Sequence, residues 1–276
     1  MKSLTINIPG DRGKLYERIQ YPAGEIQVRL TADGLSQCGG IGYVIVANPI
    51  PDIVELAQLK DALDATGTWF YKKLELPYLP YARADRRFVP GDSFGLLVFI
   101  RLIDSLRFDS VTTFDVHSSA AKSLMPGLIN LDPIHLYDQL TDCIKHLGGP
   151  NGVCLIAPDK GAEQRYDLHS YGLQVLVGGK VRDEKTGKLS GFTIDPRVAE
   201  YPAGLIVDDI CDGGGTFIGL GEEIRKLNPG MRLGLYVSHG IFSQGTSKLL
   251  NIFDKLFISD FSFLGNYDSV FEKIGE

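Results

Sequence analysis

The sequence predicts an α/β protein made of mostly parallel sheets flanked by helices and divided into two domains. Three observations lead there. Short apolar, β-branched runs recur between stretches with helical spacing, the alternation that βαβ crossovers produce. The runs are apolar on consecutive residues, as in Leu205-Ile206-Val207 and Val44-Ile45-Val46, which fits strands covered on both faces. They form two series separated by a polar, glycine-containing stretch around 138–151, so the domains are expected at 1–140 and 141–276.

Taken in order, residues 41–49 read as a buried strand ending at Pro49, and 54–66 follow with helical spacing. Residues 74–82 read as a second strand, 93–106 as a helix, and 110–118 as a strand running into a loop. The second series repeats the rhythm with apolar runs in 152–162, 171–180 and 203–216, a helix over 217–227, and further runs in 232–243 and 255–261. There is no low-complexity tract, coiled-coil heptad or evident internal repeat.

Composition narrows the partners. Of the 276 residues 44% are hydrophobic and 22% charged, which is ordinary for a globular chain with a substantial core. Against 28 basic side chains stand 34 acidic ones, a net charge of -6. That balance argues against a broad surface for nucleic acid or anionic lipid, yet a local cluster of Arg and Lys can still serve a small anion. Cys38, Cys143, Cys154 and Cys211 have no metal-binding spacing and read as reduced thiols. The N-terminus lacks a signal-type apolar region and no apolar run approaches a membrane span, so the expected location is the cytoplasm.

The charged residues cluster immediately after apolar strands, at Arg83–Arg87, Asp115–Ser119, Asp159–Gly161 and Asp208–Thr216. Open parallel sheets bind ligands beyond the carboxyl ends of their strands. In the last cluster a strand ends in Asp208 and Asp209, the glycines 213–215 follow, and a helix begins near Thr216. Consecutive glycines bring backbone N–H groups close to a phosphate, and a helix N-terminus adds its positive end. Vicinal carboxylates beside a phosphate site suit sugar hydroxyls or a metal. The plain alternative is an acidic, glycine-rich surface turn with a helix cap. Thr186-Gly187-Lys188 lacks the upstream glycine of a P-loop.

The Asp208–Thr216 segment is similar to the ribose-phosphate loop of type I phosphoribosyltransferases and of ribose-phosphate pyrophosphokinases, the PRPP synthetases. Further motifs resemble the second family in its order: Tyr81-Ala-Arg83-Ala-Asp85-Arg86-Arg87, Phe114-Asp115-Val116-His117-Ser118, Ala157-Pro158-Asp159-Lys160-Gly161, Lys180-Val181-Arg182 and Ser238-His239-Gly240-Ile241-Phe242-Ser243. The resemblance spans roughly residues 20–260 and implies two type I phosphoribosyltransferase-like domains, with Mg²⁺ as cofactor and ATP and a ribose-phosphate acceptor as ligands. It implies a homo-oligomer, dimer or hexamer, and links to nucleotide or NAD metabolism. It places Tyr21 and Arg83 about the adenine, with Glu25 reading its amino group and Asp85 and Arg86 at the ATP phosphates. His117 is then an ATP-side metal contact and Asp159 a second metal site. Lys180 and Arg182, in a charged hairpin flap, stabilise charge during transfer. Asp212, Gly213, Gly214, Gly215 and Thr216 hold the acceptor phosphate, and Asp208 and Asp209 its ribose hydroxyls.

Four departures from the family pattern stand out. Ala23 occupies a position usually Asp, Ala84 one usually Gln, and Gly213 one usually Thr, while the residues after Asp260 resemble a shortened tail. Gly213 leaves room beside the phosphate and would suit an acceptor whose phosphate is esterified, such as ADP-ribose. Two other readings compete with diphosphate transfer. A phosphoribosyltransferase explains the 208–216 loop but leaves Arg83–Arg87 and His117 idle. A catalytically silent regulatory homologue has no need of Lys180 and Arg182.

Overall fold

The computed structural model describes residues 3–47, 52–131, 136–182 and 189–259, with side chains at all of these except 136–139, 182, 189 and 190. The chain separates into two compact units, Met1–Asp132 and Pro133–Glu276.

The first unit runs β1 (Leu4–Ile8), β2 (Tyr16–Gln20), β3 (Ile26–Leu30), α1 (Ala32–Ser36), β4 (Gly42–Ala47), α2 (Ile53–Asp64), β5 (Tyr71–Leu76), α3 (Gly95–Ser105), β6 (Ser110–Phe114), α4 (Ala120–Leu124) and β7 (Leu128–Leu131). Its main sheet has the order β1-β4-β5-β6-β7, parallel throughout. Ile6, Ile45 and Leu74 from the sheet are fully buried, as are Leu56, Leu59 and Leu63 along one stripe of α2. Helix α2 starts at Asp52, whose carboxylate accepts from the Val54 and Glu55 amides.

One expected strand is shorter than the sequence pattern implied. The run over 74–82 is a strand only to Leu76, because Pro77 and Pro80 have no N–H for a parallel ladder. The run over 110–118 is a strand running into a loop, as expected; the strand stops at Phe114, where Asp115 turns into the left-handed region at φ 38°. Strands β1, β2, β3 and β7 were outside the expected set. Each has four or five residues, and β2 and β3 mix charged with apolar positions, too short a pattern to stand out.

Strands β2 and β3 form an antiparallel ribbon docked on α2. Gln58 clamps it by accepting from the Val28 amide at 2.8 Å and donating to the Ile26 carbonyl at 2.9 Å. Glu55, 1% exposed, takes the Tyr16 hydroxyl at 2.9 Å and lies within 3.3 Å of both Arg12 and Arg18. A buried carboxylate with two guanidinium partners and a hydroxyl is satisfied, where an unpaired one would oppose folding.

The second unit runs α5 (Leu136–His146), β8 (Val153–Ala157), α6 (Lys160–Arg165), β9 (Val175–Arg182), β10 (Leu189–Ile194), β11 (Ala203–Cys211), α7 (Gly215–Leu227), β12 (Arg232–Gly240), α8 (Ser247–Leu250) and β13 (Lys255–Ile258). The strand order is β10-β9-β8-β11-β12-β13, parallel except for the β9–β10 hairpin. Strand β11 is buried on both faces. Leu205 and Val207 join the core formed with Leu140, Ile144 and Ala162, and Ile206 joins Phe217, Leu220 and Ile224 of α7. Helix α5, lying within the stretch where the domain boundary was expected, sends Leu140, Cys143, Ile144 and Leu147 into this second core.

Candidate active site

In both units the polar residues singled out by their position after strands gather at the carboxyl ends of the parallel sheets. In the first, the Tyr81–Ala84 turn is closed by an Ala84 N–H to Tyr81 carbonyl bond of 2.8 Å and tied to the start of α3 by Leu96 N–H donating to Ala84. Tyr81 sits at φ 62° with its ring against Phe99. Half-buried Ala84 lies beside Gly95, where an added Cβ would meet the Ala84 methyl at 3.1 Å.

From this turn Arg83, Arg86 and Arg87 reach solvent. Asp85 is the organising acid. It accepts from Arg86 Nε at 2.9 Å and Nη2 at 3.2 Å, and from Ser118 Oγ at 2.6 Å. The Arg86 bonds, aided by Ser118 and the charge of His117, hold its carboxyl below the ordinary range despite partial burial. The loop after β6 is pinned by Asp115 N–H to the Leu131 carbonyl at 3.2 Å and Val116 N–H to Asn130 Oδ1 at 3.1 Å. That brings half-buried His117 beside Asp85. Tyr21 and Glu25 stand exposed at the tip of the β2–β3 ribbon, which Gly24 turns at φ 92° and a Tyr21–Glu25 backbone bond closes.

In the second unit, Asp159 caps α6 through Oδ1, which accepts from the Gly161 and Ala162 amides. Its Oδ2 receives Lys180 Nζ at 3.3 Å from the adjacent strand β9. The predicted metal site and the predicted catalytic lysine are therefore in contact. The backbone of Arg182 ends β9; its side chain lies outside the described residues. At the end of β11, Asp208 Oδ1 accepts the Asp209 amide at 2.9 Å. Burial first, then the charge of Asp209 and more weakly that of Asp159, push the Asp208 carboxyl up. Asp209 is 2% exposed and lies 3.4 Å from Arg165 of α6.

The turn that follows carries Asp212 and Gly213 in solvent and Gly214 buried at φ 77°, immediately before α7. Gly214 needs its missing side chain, since a Cβ there would meet Leu249 at 3.2 Å in a conformation that L residues resist. Gly213 is different: it lies outside the left-handed region, and a Cβ would make an ordinary 3.5 Å contact with Gln244. Gly215 is open, and Thr216 is half-buried in the first turn of the 13-residue helix. Free amides and a helix N-terminus at this spot can receive an anion.

Among the described residues no group of three or more His, Cys, Asp or Glu could hold a metal by protein ligands alone. Mg²⁺ seldom needs such a cage, since one carboxylate with phosphate oxygens and water suffices. Asp159, 47% exposed, fits that role once Lys180 withdraws. The imidazole of His117 is a less oxygen-like donor and fits best through water. His146 and His169 bond respectively to the Asp142 carbonyl at 2.8 Å and Glu163 at 3.0 Å; His135 lies outside the described residues. Arg165 was absent from the expected site: a lone Arg six residues after Asp159 has no pattern of its own, and only packing brings it to Asp209.

Comparison with known proteins follows the same line. No family model matches the chain. It is 28% identical over 235 residues to the ribose-phosphate pyrophosphokinase of Thermococcus kodakarensis, covering 82% of this chain and 78% of that one. To the Pyrococcus furiosus ribose-phosphate pyrophosphokinase it is 28% identical over 242 residues, covering 84% and 80%. To ribose-phosphate pyrophosphokinase 2 of Archaeoglobus fulgidus it is 30% identical over 200 residues, covering 71% and 65%. The solved phosphoribosylpyrophosphate synthetase of Mycobacterium smegmatis shares the fold, with a TM-score of 0.72 at 17% identity over 89% of this chain and 80% of that one. Ordered motifs, two α/β units and these relatives agree: over most of its length the chain is similar to the ribose-phosphate pyrophosphokinases.

Proposed function

We propose that the protein is a Mg²⁺-dependent diphosphokinase that transfers the β,γ-diphosphate of ATP to the anomeric hydroxyl of a ribose-phosphate acceptor. With ribose 5-phosphate the products are PRPP and AMP. The acceptor's 1-oxygen bonds to the β-phosphorus, the bond from that phosphorus to the bridging α,β-oxygen breaks, AMP leaves, and the hydroxyl proton passes to solvent. The single observation that carries the reading is the second unit's constellation: Lys180 on Asp159, two vicinal acids, and a glycine turn entering α7, all at one end of one sheet.

The chemistry follows from what these groups can do. Phosphoryl transfer needs positioning and charge neutralisation more than covalent help. Arg83 and Arg86 serve the triphosphate as guanidinium donors, with Asp85 holding Arg86 in place. Tyr21 and Glu25 serve the base. Lys180 and Arg182 meet the negative charge that accumulates between the transferred group and AMP. The turn 212–216 takes the acceptor's phosphate, and Asp208 and Asp209 take its hydroxyls. When bound, Mg²⁺ neutralises phosphate oxygens; His117 would meet one ion on the ATP side and Asp159 would hold a second. We place the reaction in the cytoplasm, in a homo-oligomer.

A second reading keeps the chemistry and changes the acceptor to ADP-ribose, giving ADP-ribose pyrophosphate and AMP. It is favoured by Gly213, which is exposed and leaves open the volume that a threonine would fill. The deciding experiment incubates purified protein with ATP, Mg²⁺ and either sugar. Release of AMP dependent on ribose 5-phosphate supports the first reading, and release dependent on ADP-ribose alone supports the second. ATP binding without AMP in either case rejects diphosphate transfer.

A further inference from the structure

Three carboxylates meet near the ends of β8 and β11. Asp208 and Asp209 are adjacent, and the charge of Asp159 reaches Asp208. Such a cluster repels itself and needs cations. Among the described residues Lys180 and Arg165 stand against the acids, and they are not equivalent. Lys180 Nζ stands 3.3 Å from Asp159 with 33% of its side chain exposed, on a strand whose continuation is the hairpin. Arg165 Nη2 stands 3.4 Å from Asp209, with 22% of its own side chain exposed against 2% for the acid. Its guanidinium also lies 5.9 Å from the ring of buried Tyr166, so one side of it is fixed by packing. If Lys180 turns to the phosphates during reaction, Arg165 is the cation that remains with the acids.

The alternation along β11 explains why only one acid of the pair is covered. Leu205 and Val207 face the core that includes Ala162 of α6, and Ile206 faces α7. Continued two residues further on each face, the same alternation sends Asp209 toward α6 and Asp208 to the opposite face. Helix α6 thus touches the site at both ends: Asp159 caps its start, and Arg165 ends it on Asp209.

From this geometry we infer that Arg165 is a positioning residue for the acceptor sugar, holding Asp209 as a charged, oriented carboxylate at the end of β11. The inference rests on the proposed reaction. Arg165 does not touch the substrate; it fixes the acid that does. A buried carboxylate stripped of its cation either takes a proton or turns toward another donor, and in both cases its grip on a ribose hydroxyl is lost while the ATP-side residues are untouched.

The test is steady-state kinetics of AMP release by the full chain and by Arg165→Met and Arg165→Lys, with ATP and the acceptor varied separately. Arg165→Met is expected to raise the acceptor KM on the order of tenfold or more, the size seen when groups orienting a ligand-binding side chain are removed, with the ATP KM unchanged. Arg165→Lys restores most of the loss, because it returns the charge. Equal KM values for the acceptor in all three proteins overturn the positioning role, as does a fall confined to kcat. If Arg165→Met fails to fold, Arg165→Gln takes its place: an acceptor KM raised toward that of an Asp209→Ala variant supports the positioning role, and a KM at the parent's level rejects it. A parent that releases no AMP with either acceptor removes the proposed reaction itself, an outcome distinct from an active parent whose acceptor KM ignores residue 165.

Discussion

The carboxyl ends of the two parallel sheets are built with opposite charge economies. In the first unit one acid, Asp85, serves a run of solvent-facing arginines, and its bonds to Arg86 and Ser118 order the turn while leaving Arg83 and Arg87 exposed. In the second, the acids crowd together: among the described residues Asp159 pairs with Lys180 and Asp209 with Arg165, Asp208 lies beside them, and Asp209 is almost wholly buried. Exposed guanidinium groups suit a large polyanion that brings its own solvation. Crowded carboxylates suit hydroxyls and a divalent cation, because those ligands relieve the crowding. The same kind of sheet thus makes two kinds of site, depending on whether the loops carry the charge outward or the strand end keeps it in.

The contrast can be broken at several points. The largest effect is expected from Lys180→Ala. Its pair with Asp159 is partly exposed and contributes little to folding, ~1 kcal/mol or less, so the melting temperature stays within a few degrees. AMP release should nonetheless fall about 100-fold or more, the loss typical of removing one group aimed at developing charge. Equal falls in both quantities would make the lysine a structural partner only.

Asp85→Asn probes the first unit. It removes the charge on which Arg86 rests and weakens the tie to Ser118, so the ATP KM should rise about tenfold with the acceptor KM unchanged, measured at saturating cosubstrate. A change in the acceptor KM instead would erase the division of labour between the two sheet ends.

Gly213→Thr and Gly214→Ala separate binding from folding within one turn. Gly214→Ala forces an alanine into the left-handed region against Leu249 and should cost about 1–2 kcal/mol, read as a lower melting temperature. Gly213→Thr meets only Gln244 and should leave stability intact. If ADP-ribose is the acceptor, its kcat/KM falls about tenfold while that of ribose 5-phosphate holds or rises; each such factor corresponds to ~1.4 kcal/mol.

The smallest effect is a pH dependence. The Asp208 carboxyl is raised in the folded protein, so the native state holds its proton more tightly than the unfolded chain does. Its contribution to stability is complete below the ordinary carboxylate value and is lost as pH rises through the folded value. Asp208→Asn should therefore stabilise the protein at neutral pH, by on the order of 1 kcal/mol, and the gain should vanish near pH ~4. Melting curves of both proteins at the two pH values check this. A gain independent of pH would place its origin in packing.

Much of this was legible in residue order. The alternation of apolar strands and helices, the clusters after the strands, and the Asp208–Thr216 turn depend on neighbours in sequence, and local chemistry is enough to read them. Shorter elements were not. Strands β1 and β7 carry too few residues for a period, and the ribbon that presents Tyr21 and Glu25 is secured by Glu55 and Gln58, 39 and 30 residues from their partners Tyr16 and Val28. The end of β5 is hidden in the sequence, since apolar residues continue past Pro77, which stops the ladder.

The sequence by itself determined the fold class, the two-series organisation, and the residues able to carry phosphate and sugar chemistry, because each rests on local propensity or on side-chain type. Only the tertiary structure decided which charges meet. It set Lys180 on Asp159 and Arg165 on Asp209, and it sent two adjacent aspartates to different surroundings. The reason is physical: a carboxylate's charge state and orientation come from burial and from cations on other elements, and those distances exist only after strands pair and helices pack across them.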